Sequence, residues 1–317
     1  MASADPVRIA LVGAGRMGRV HLHAMRSSAA VAPAAVVEPV AALRETLSAQ
    51  GLITHASVEE LLEAGGFDAV LIAAPSDQHA ALVASFAGAG VPILCEKPVG
   101  IRAADAQAAS EAARRAGVLL QVGYWRRFVP ELRDLRRRIA GGELGTVNML
   151  ASMQWDAEPP TPGFRAHSGG IAVDMGVHEF DQTRWLLGQE VSWVAAVPAG
   201  PSETEPVAPN DPDAASILLQ LSGGAAATVS LGRRFPQADS CWAEVWATRG
   251  YERVPFMWAQ GSEQAFVGAI TAQLEGFVRA VTGGRREGAG GEDAVAALTV
   301  AEAVASALAE AHARATA

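Results

Sequence analysis

Cysteine is nearly absent: Cys95 and Cys241 are the only two in 317 residues, and no His or Cys lies near them at zinc-ligand spacing. This excludes a disulfide framework and fits a reducing compartment. Charge is sparse too, at 19% of residues, and its balance of 34 acidic to 25 basic side chains gives a net charge of −9. With a pI near 5.3 the chain is ill suited to polyanions. The one basic run, Arg133 to Arg138, is broken by Asp134 and Leu135 on a predicted helix, so no nucleic acid partner is expected. No stretch reaches the roughly 18 uninterrupted apolar residues of a membrane span, and Met1 to Pro6 lack the basic and apolar regions of a secretion signal. No membrane partner is expected, and the chain reads as cytoplasmic.

Apolar residues make up 50% of the chain, enough for a sizeable core, and 317 residues is about two domains at ~150 residues each. The first half alternates short apolar runs (7–12, 34–37, 69–73, 91–95 and 118–122) with alanine-rich helical segments such as 77–88 and 102–117 that end at glycine. This is the sequence form of repeated βαβ units, and it predicts an α/β fold whose first domain, 1–123, is a doubly wound parallel sheet. From Tyr124 onward the strand candidates (147–155, 191–197, 214–221, 225–231 and 242–248) follow one another mostly without helices, which predicts an antiparallel sheet in a second domain, 124–317. Helices are expected at 174–187, 263–282 and 293–314, the last packing back on the body. Two proline-rich segments stand out. The first, 156–165, borders the most chemically suggestive helix, and the second, 198–213, reads as a solvated surface loop.

Gly13-Ala14-Gly15-Arg16-Met17-Gly18 directly follows a strand and opens a helix. The first glycine suits the tight turn, the second lets the backbone approach a pyrophosphate, and the third allows close packing of helix on strand. The helix N-terminus then faces the phosphates. Glu38, twenty residues beyond Gly18, stands where an acid accepts from ribose hydroxyls and repels a 2′-phosphate, favouring NAD over NADP.

Glu96-Lys97-Pro98 closes the fifth strand candidate, at the sheet edge where α/β proteins bind ligands. There an ammonium can reach a substrate hydroxyl, although a surface ion pair is the plainer reading of the tripeptide alone. Asp174 and His178, four apart on a predicted helix, share a face, so that the carboxylate can orient the imidazole as a base. Asp174 as a helix N-cap is the competing reading. A metal would need a third ligand such as His167 or Asp181, and this ranks below acid–base work; no metal is expected.

Together these residues resemble the Gfo/Idh/MocA family of nicotinamide-dependent oxidoreductases, and within it the inositol 2-dehydrogenases. The segment from Gly13 to His21 is similar to that family's dinucleotide turn, Ala74-Pro75 through His79 to its post-strand loop, Glu96-Lys97-Pro98 to its signature tripeptide, and Asp174 through His178 to its catalytic Asp-xxx-His. The resemblance implies an N-terminal Rossmann domain and a C-terminal α/β domain with a large, open, mainly antiparallel sheet, used to build a homodimer or homotetramer. It also implies a catalytic trio of Lys97, Asp174 and His178, with Gly13, Gly15, Arg16, Met17, Gly18, Glu38, Ala74, Pro75, His79, Glu96 and Lys97 binding NAD.

Where inositol dehydrogenases commonly carry a tyrosine, the segment 236–241 has none and places Asp239 nearby. Pocket candidates are Tyr124, Trp125, Arg126, Arg127, Trp155, Arg165 and His167, since aromatic and arginine side chains suit sugar faces and hydroxyls; packing at a domain interface is the alternative. The expected activity is NAD-dependent interconversion of a secondary alcohol and ketone on a cyclitol, sugar or related polyol. Alternatives are a keto-sugar or amino-sugar reductase, an enzyme using tightly held NAD for transient oxidation, and a non-catalytic NAD-binding sensor.

Overall fold

The computed structural model describes residues 5–200, 208, 210–257 and 262–316. The chain forms two compact units. In the first, six strands, β1 (Val7–Val12), β2 (Val31–Val37), β3 (Thr54–His55), β4 (Ala69–Ile72), β5 (Ile93–Cys95) and β6 (Leu120–Val122), pair in the order β3-β2-β1-β4-β5-β6, all parallel. Five helices connect them: α1 (Arg16–Ser27), α2 (Ala41–Ala49), α3 (Val58–Ala64), α4 (His79–Gly88) and α5 (Ala103–Ala116). The central strands are apolar on both faces and fully buried, as a sheet covered on both sides by helices requires. Strand order reverses between β1 and β4, so their carboxyl ends form the crevice where such sheets take ligands.

The second unit begins with α6 (Pro130–Ala140) and centres on a six-stranded sheet. Its strands are β7 (Val147–Trp155), β8 (Val191–Pro198), β9 (Ala214–Leu221), β10 (Ala226–Gly232), β11 (Ser240–Ala247) and β12 (Gly250–Met257), ordered β12-β11-β7-β10-β9-β8. All pairs are antiparallel except β7 with β10. Between β7 and β8 lie a single helical turn, α7 (Pro162–Arg165), and α8 (Val177–Leu187), which is preceded by a π turn at Ala172–Gly176. Two long helices close the chain, α9 (Ser262–Val281) and α10 (Gly291–Thr316).

The compact units divide at Trp125, and Val267–Val295 belongs with the first. Hydrogen bonds hold that return segment, among them Ser28 Oγ to Glu275 at 2.9 Å, Gln121 Nε2 to the Gln273 carbonyl at 3.3 Å, and Val122 N to the Ala289 carbonyl at 2.9 Å. Most of α10 belongs instead with the second unit, where Glu302 accepts from Ala103 N at 2.9 Å. By length and composition α10 could cross a membrane, with a mean hydropathy of 1.6 over 18 residues. Its fully buried positions, Ala294, Ala297, Leu298, Ala301, Val304 and Leu308, nevertheless follow the three-to-four-residue spacing of a helix packed on one side.

The strand β12 lies in a segment that gives little sequence signal: Glu252 and Arg253 interrupt the apolar alternation, and Pro255 is tolerated because the strand sits at a sheet edge. Residues 201–207 and 209 of the proline-rich segment lie outside the described residues. The segment's end does not match the expectation of a solvated loop, because Asp211 and Asp213 are buried.

Candidate active site

The first unit supplies a strand-turn-helix built for a dinucleotide. Gly13 has φ +93°, and a Cβ there would stand 2.7 Å from the Ala73 carbonyl oxygen at the end of β4. A Cβ on Gly18 would collide with the Gly13 carbonyl, so only glycine lets α1 approach β1 this closely. Gly15 differs: nothing lies within 4 Å of where its Cβ would be, which leaves the backbone at the start of α1 open to a ligand. Glu38, buried at the end of β2, accepts from Ala14 N at 3.1 Å and Val40 N at 2.9 Å. A carboxylate has about four lone-pair sites, so two remain for a ribose diol. Arg44 is turned away from phosphate duty, since its Nη1 donates at 2.8 Å to both the Glu38 and Pro39 carbonyls. These residues fit NAD.

Beyond β5, buried Glu96 bonds through Oε1 to His21 Nε2 at 2.6 Å and accepts through Oε2 from Lys97 N at 3.1 Å. Burial by itself would raise the Glu96 pKa; the bond to His21 and the nearby Lys97 charge outweigh it, and the net direction is down. A carboxylate thus ties α1 to the backbone of Lys97. That lysine, half-buried, is the only one in the chain. His79 is buried with Nδ1 2.7 Å from the Pro98 carbonyl and Nε2 2.8 Å from the Ala74 carbonyl. Burial lowers its pKa, so the neutral ring donates to one of these carbonyls at a time.

The second unit supplies Asp174, in the π turn, and His178, in the first turn of α8, where four-residue spacing keeps both near one face. The helix is pinned next to His178 by two consecutive arginines. Arg126 Nη1 donates to Glu179 Oε1 at 2.5 Å and its Nη2 to Gln154 Oε1 at 2.8 Å, while Arg127 grips Asp181 with two bonds of 3.0 and 2.6 Å. Ser152 also donates to Glu179 and accepts from Gln182 at 2.7 Å, tying α8 to the inner face of β7. Burial works against the Arg126 charge, but Glu179 outweighs it and raises the pKa, whereas burial pushes the neighbouring Cys241 thiol up to about 12. Among the described residues, no group of three or more His, Cys, Asp and Glu side chains is arranged to hold a metal ion.

The description "Oxidoreductase family, NAD-binding Rossmann fold" matches residues 7–124, and "GFO/IDH/MocA C-terminal domain" matches 132–252. The "Rhizopine catabolism protein MocA" of Rhizobium meliloti is 49% identical over 93% of both chains. The chain belongs to the Gfo/Idh/MocA oxidoreductase family. The "Inositol 2-dehydrogenase" of Rhizobium meliloti (strain 1021) is 31% identical, covering 96% of this chain and 97% of its own. A solved structure described as a putative myo-inositol dehydrogenase from Sinorhizobium meliloti 1021 superposes with a TM-score of 0.87 at 31% identity, over 96% of this chain and 98% of that one.

Within this Gfo/Idh/MocA frame several expected contacts are redistributed. Arg16 is exposed, Met17 half-buried, and Ala74 and Pro75 line the loop after β4, all open to a ligand at the sheet edge. Glu96 and His79 are buried and hydrogen-bonded to protein groups of the loops after β5 and β4. The Arg127 and Arg165 guanidiniums are both buried in ion pairs, Arg127 with Asp181 and Arg165 with Asp211 and Asp213. Their desolvation is compensated by those carboxylates, and breaking such a pair is strongly destabilising.

Trp155 ends β7. Strand alternation puts it on the opposite face of β7 from Ser152 and α8, with its ring over Gly232 and its Nε1 donating to Ser230 at 3.0 Å. His167 is exposed beyond α7, and Tyr124 is buried in the first unit. Asp239 accepts from Ala157 N at 2.7 Å and so fastens the proline-rich segment after β7.

Sequence reasoning missed Arg233, Asp211 and Asp213. Arg233, with no solvent exposure, donates to Asp174 at 2.9 Å and to Asp211 at 3.1 Å, across 59 and 22 residues of chain. No local spacing reports contacts that distant. The one available signal was an arginine pair, Arg233-Arg234, directly after an apolar strand.

Proposed function

We propose that the chain is an NAD-dependent dehydrogenase that interconverts a secondary alcohol and a ketone on a cyclitol, sugar or related polyol. The observation that carries this reading is the placement of Asp174, held by Arg233, in the π turn that leads into a firmly pinned α8, four residues before His178. A sensor that only bound NAD has no use for a positioned acid–base pair. In the oxidative direction His178, oriented by Asp174, takes the hydroxyl proton, and Lys97 is the cation assigned to stabilise developing alkoxide character. NAD, held by the Gly13–Gly18 turn and Glu38, supplies the hydride acceptor. The 31% identical inositol 2-dehydrogenase supports a cyclitol substrate. Asp239 in place of a tyrosine, and the 49% identical relative's name, favour a rhizopine or its breakdown products over myo-inositol itself. A cytoplasmic setting is part of the proposal, as is assembly into a dimer or tetramer through the outer face of the second sheet. That face leaves Trp193, Val197, Leu218 and Tyr251 exposed.

The test is a screen of cyclitols, rhizopines, aldoses and amino sugars with NAD and with NADP, read by absorbance of the reduced cofactor. At least one cyclitol-class substrate is expected to turn over. Its kcat/KM with NAD should exceed that with NADP by more than about tenfold, roughly 1.4 kcal/mol, because the buried Glu38 carboxylate repels a 2′-phosphate. Preference for NADP would show that Arg44 leaves its carbonyl partners to capture the phosphate. Binding of NAD with no turnover across the panel would favour the sensor.

A further inference from the structure

Five charged side chains of the second unit alternate in sign through its interior. Asp174 Oδ2 accepts from Arg233 Nη1 at 2.9 Å, Arg233 Nη2 donates to Asp211 Oδ1 at 3.1 Å, and Asp211 Oδ2 accepts from Arg165 Nε at 2.7 Å. Arg165 Nη1 then donates to Asp213 Oδ1 at 2.8 Å, and its Nη2 to the Asp211 carbonyl at 2.5 Å. Arg233, Arg165 and Asp211 are all at least 96% buried. Backbone contacts fix the array as well: Arg233 N donates to the Asp213 carbonyl at 2.8 Å, and Gly170, with φ +85°, lies so close to the Asn210 carbonyl that a Cβ would stand 3.2 Å from it. The end of the 198–213 segment is therefore tucked against the turn that presents Asp174.

We infer that Arg233 is a positioning residue for proton transfer: it fixes the Asp174 carboxylate and tempers its pull on His178, while Asp211 tempers Arg233 in turn. The inference rests on the reading of His178 as the base. A guanidinium fork shared by two carboxylates cannot rotate without breaking one of them, so it holds Asp174 in one orientation. It is also a fixed positive charge next to the carboxylate that attracts the imidazolium, in a buried setting where water screens little. Other charged groups lie on the elements packed with α8 and the 211–213 segment. On α8 itself Glu179 and Asp181 are matched by Arg126 and Arg127; Arg136 of α6 donates to the Trp185 carbonyl; Arg234 lies 3.9 Å from Asp213; and β7 contributes the neutral Ser152 and Gln154. Arg233 is a cation bonded directly to Asp174.

The experiment follows the His178 ring through its own titration by NMR of histidine-labelled apoprotein, its signal assigned by its loss in His178→Ala. Removing the cation in Arg233→Met should raise the His178 midpoint by about one unit, a tenfold gain in proton affinity. Removing the anion in Asp211→Asn should lower it, and Arg233→Lys, which keeps the charge, should stay within about 0.3 units of the parent. In an Asp174→Asn background the effect of Arg233→Met should shrink to less than half. A purely structural role predicts lower thermal stability with unmoved midpoints. The inference is overturned if the midpoint stays put in both Arg233→Met and Asp211→Asn, or, where the methionine variant does not fold, in Asp211→Asn alone. Moved midpoints in a protein that turns over no member of the cyclitol, sugar and polyol panel would sink the proposed function and leave only the electrostatic coupling of Arg233 to His178.

Discussion

Replacing Lys97 with methionine is expected to leave NAD binding within a fewfold of the parent and to lower turnover at least about a hundredfold, the scale for losing one preorganised electrostatic stabiliser. Methionine keeps most of the side chain's bulk and removes its charge. The tether that holds Lys97 is a backbone bond, from its N–H to Glu96, so the loop should keep its course in the variant. Glu96 in turn is held by His21, and neither contact uses the lysine ammonium. NAD affinity measured by quenching of protein fluorescence, alongside steady-state rates, separates the two effects. A variant that keeps near-parent turnover on a good substrate would return Lys97 to the status of a strand-end ion pair.

Replacing His178 with alanine is expected to lower kcat/KM by on the order of 10²–10⁴ and to abolish the limb by which the oxidative rate rises with pH. The sign follows from the chemistry, because alcohol oxidation needs a neutral imidazole and protonation below the limb disables it. Asp174→Asn should fold and keep Arg233 hydrogen-bonded through its amide oxygen, yet lose rate through a misoriented or wrongly tautomerised ring. The N-cap reading of Asp174 predicts instead a loss of roughly 0.5–2 kcal/mol of stability in Asp174→Ala with little change in chemistry. A metal-ligand reading predicts inactivation by a chelator and recovery with a divalent ion. If His178→Ala keeps both rate and pH limb, proton transfer belongs to another group, with Lys97 and Tyr124 the next to test.

The parts of the fold visible in the sequence are those encoded locally. The strands β1, β7 and β9 match their expected limits because each is an apolar-rich run set off by flanking glycine, proline or aspartate. The Gly13–Gly18 turn was legible for a related reason: Gly13 and Gly18 answer to close contacts with the residues just after β4 and with the turn itself, while Gly15 leaves the backbone open. The helix expected from Asp174 instead begins with a π turn at Ala172–Gly176, a departure set by packing that propensity does not report. The arginine and aspartate residues that surround Asp174 and α8 were illegible as partners. Charged residues read as solvent-facing by default, and only tertiary structure shows that Arg126, Arg127, Arg165 and Arg233 are spent on buried carboxylates.

Lys97 stands alone among the 25 basic residues; the other 24 are arginines, whose guanidiniums resist acylation and reductive alkylation at neutral pH. Apart from the terminal amine, a reagent that seeks amines therefore meets one side chain in the whole molecule, half-buried just past β5. Intact mass after labelling becomes a direct count of how many molecules present that ammonium to solvent. Protection by NAD or by a trial substrate can be read from the same spectrum before any turnover has been found.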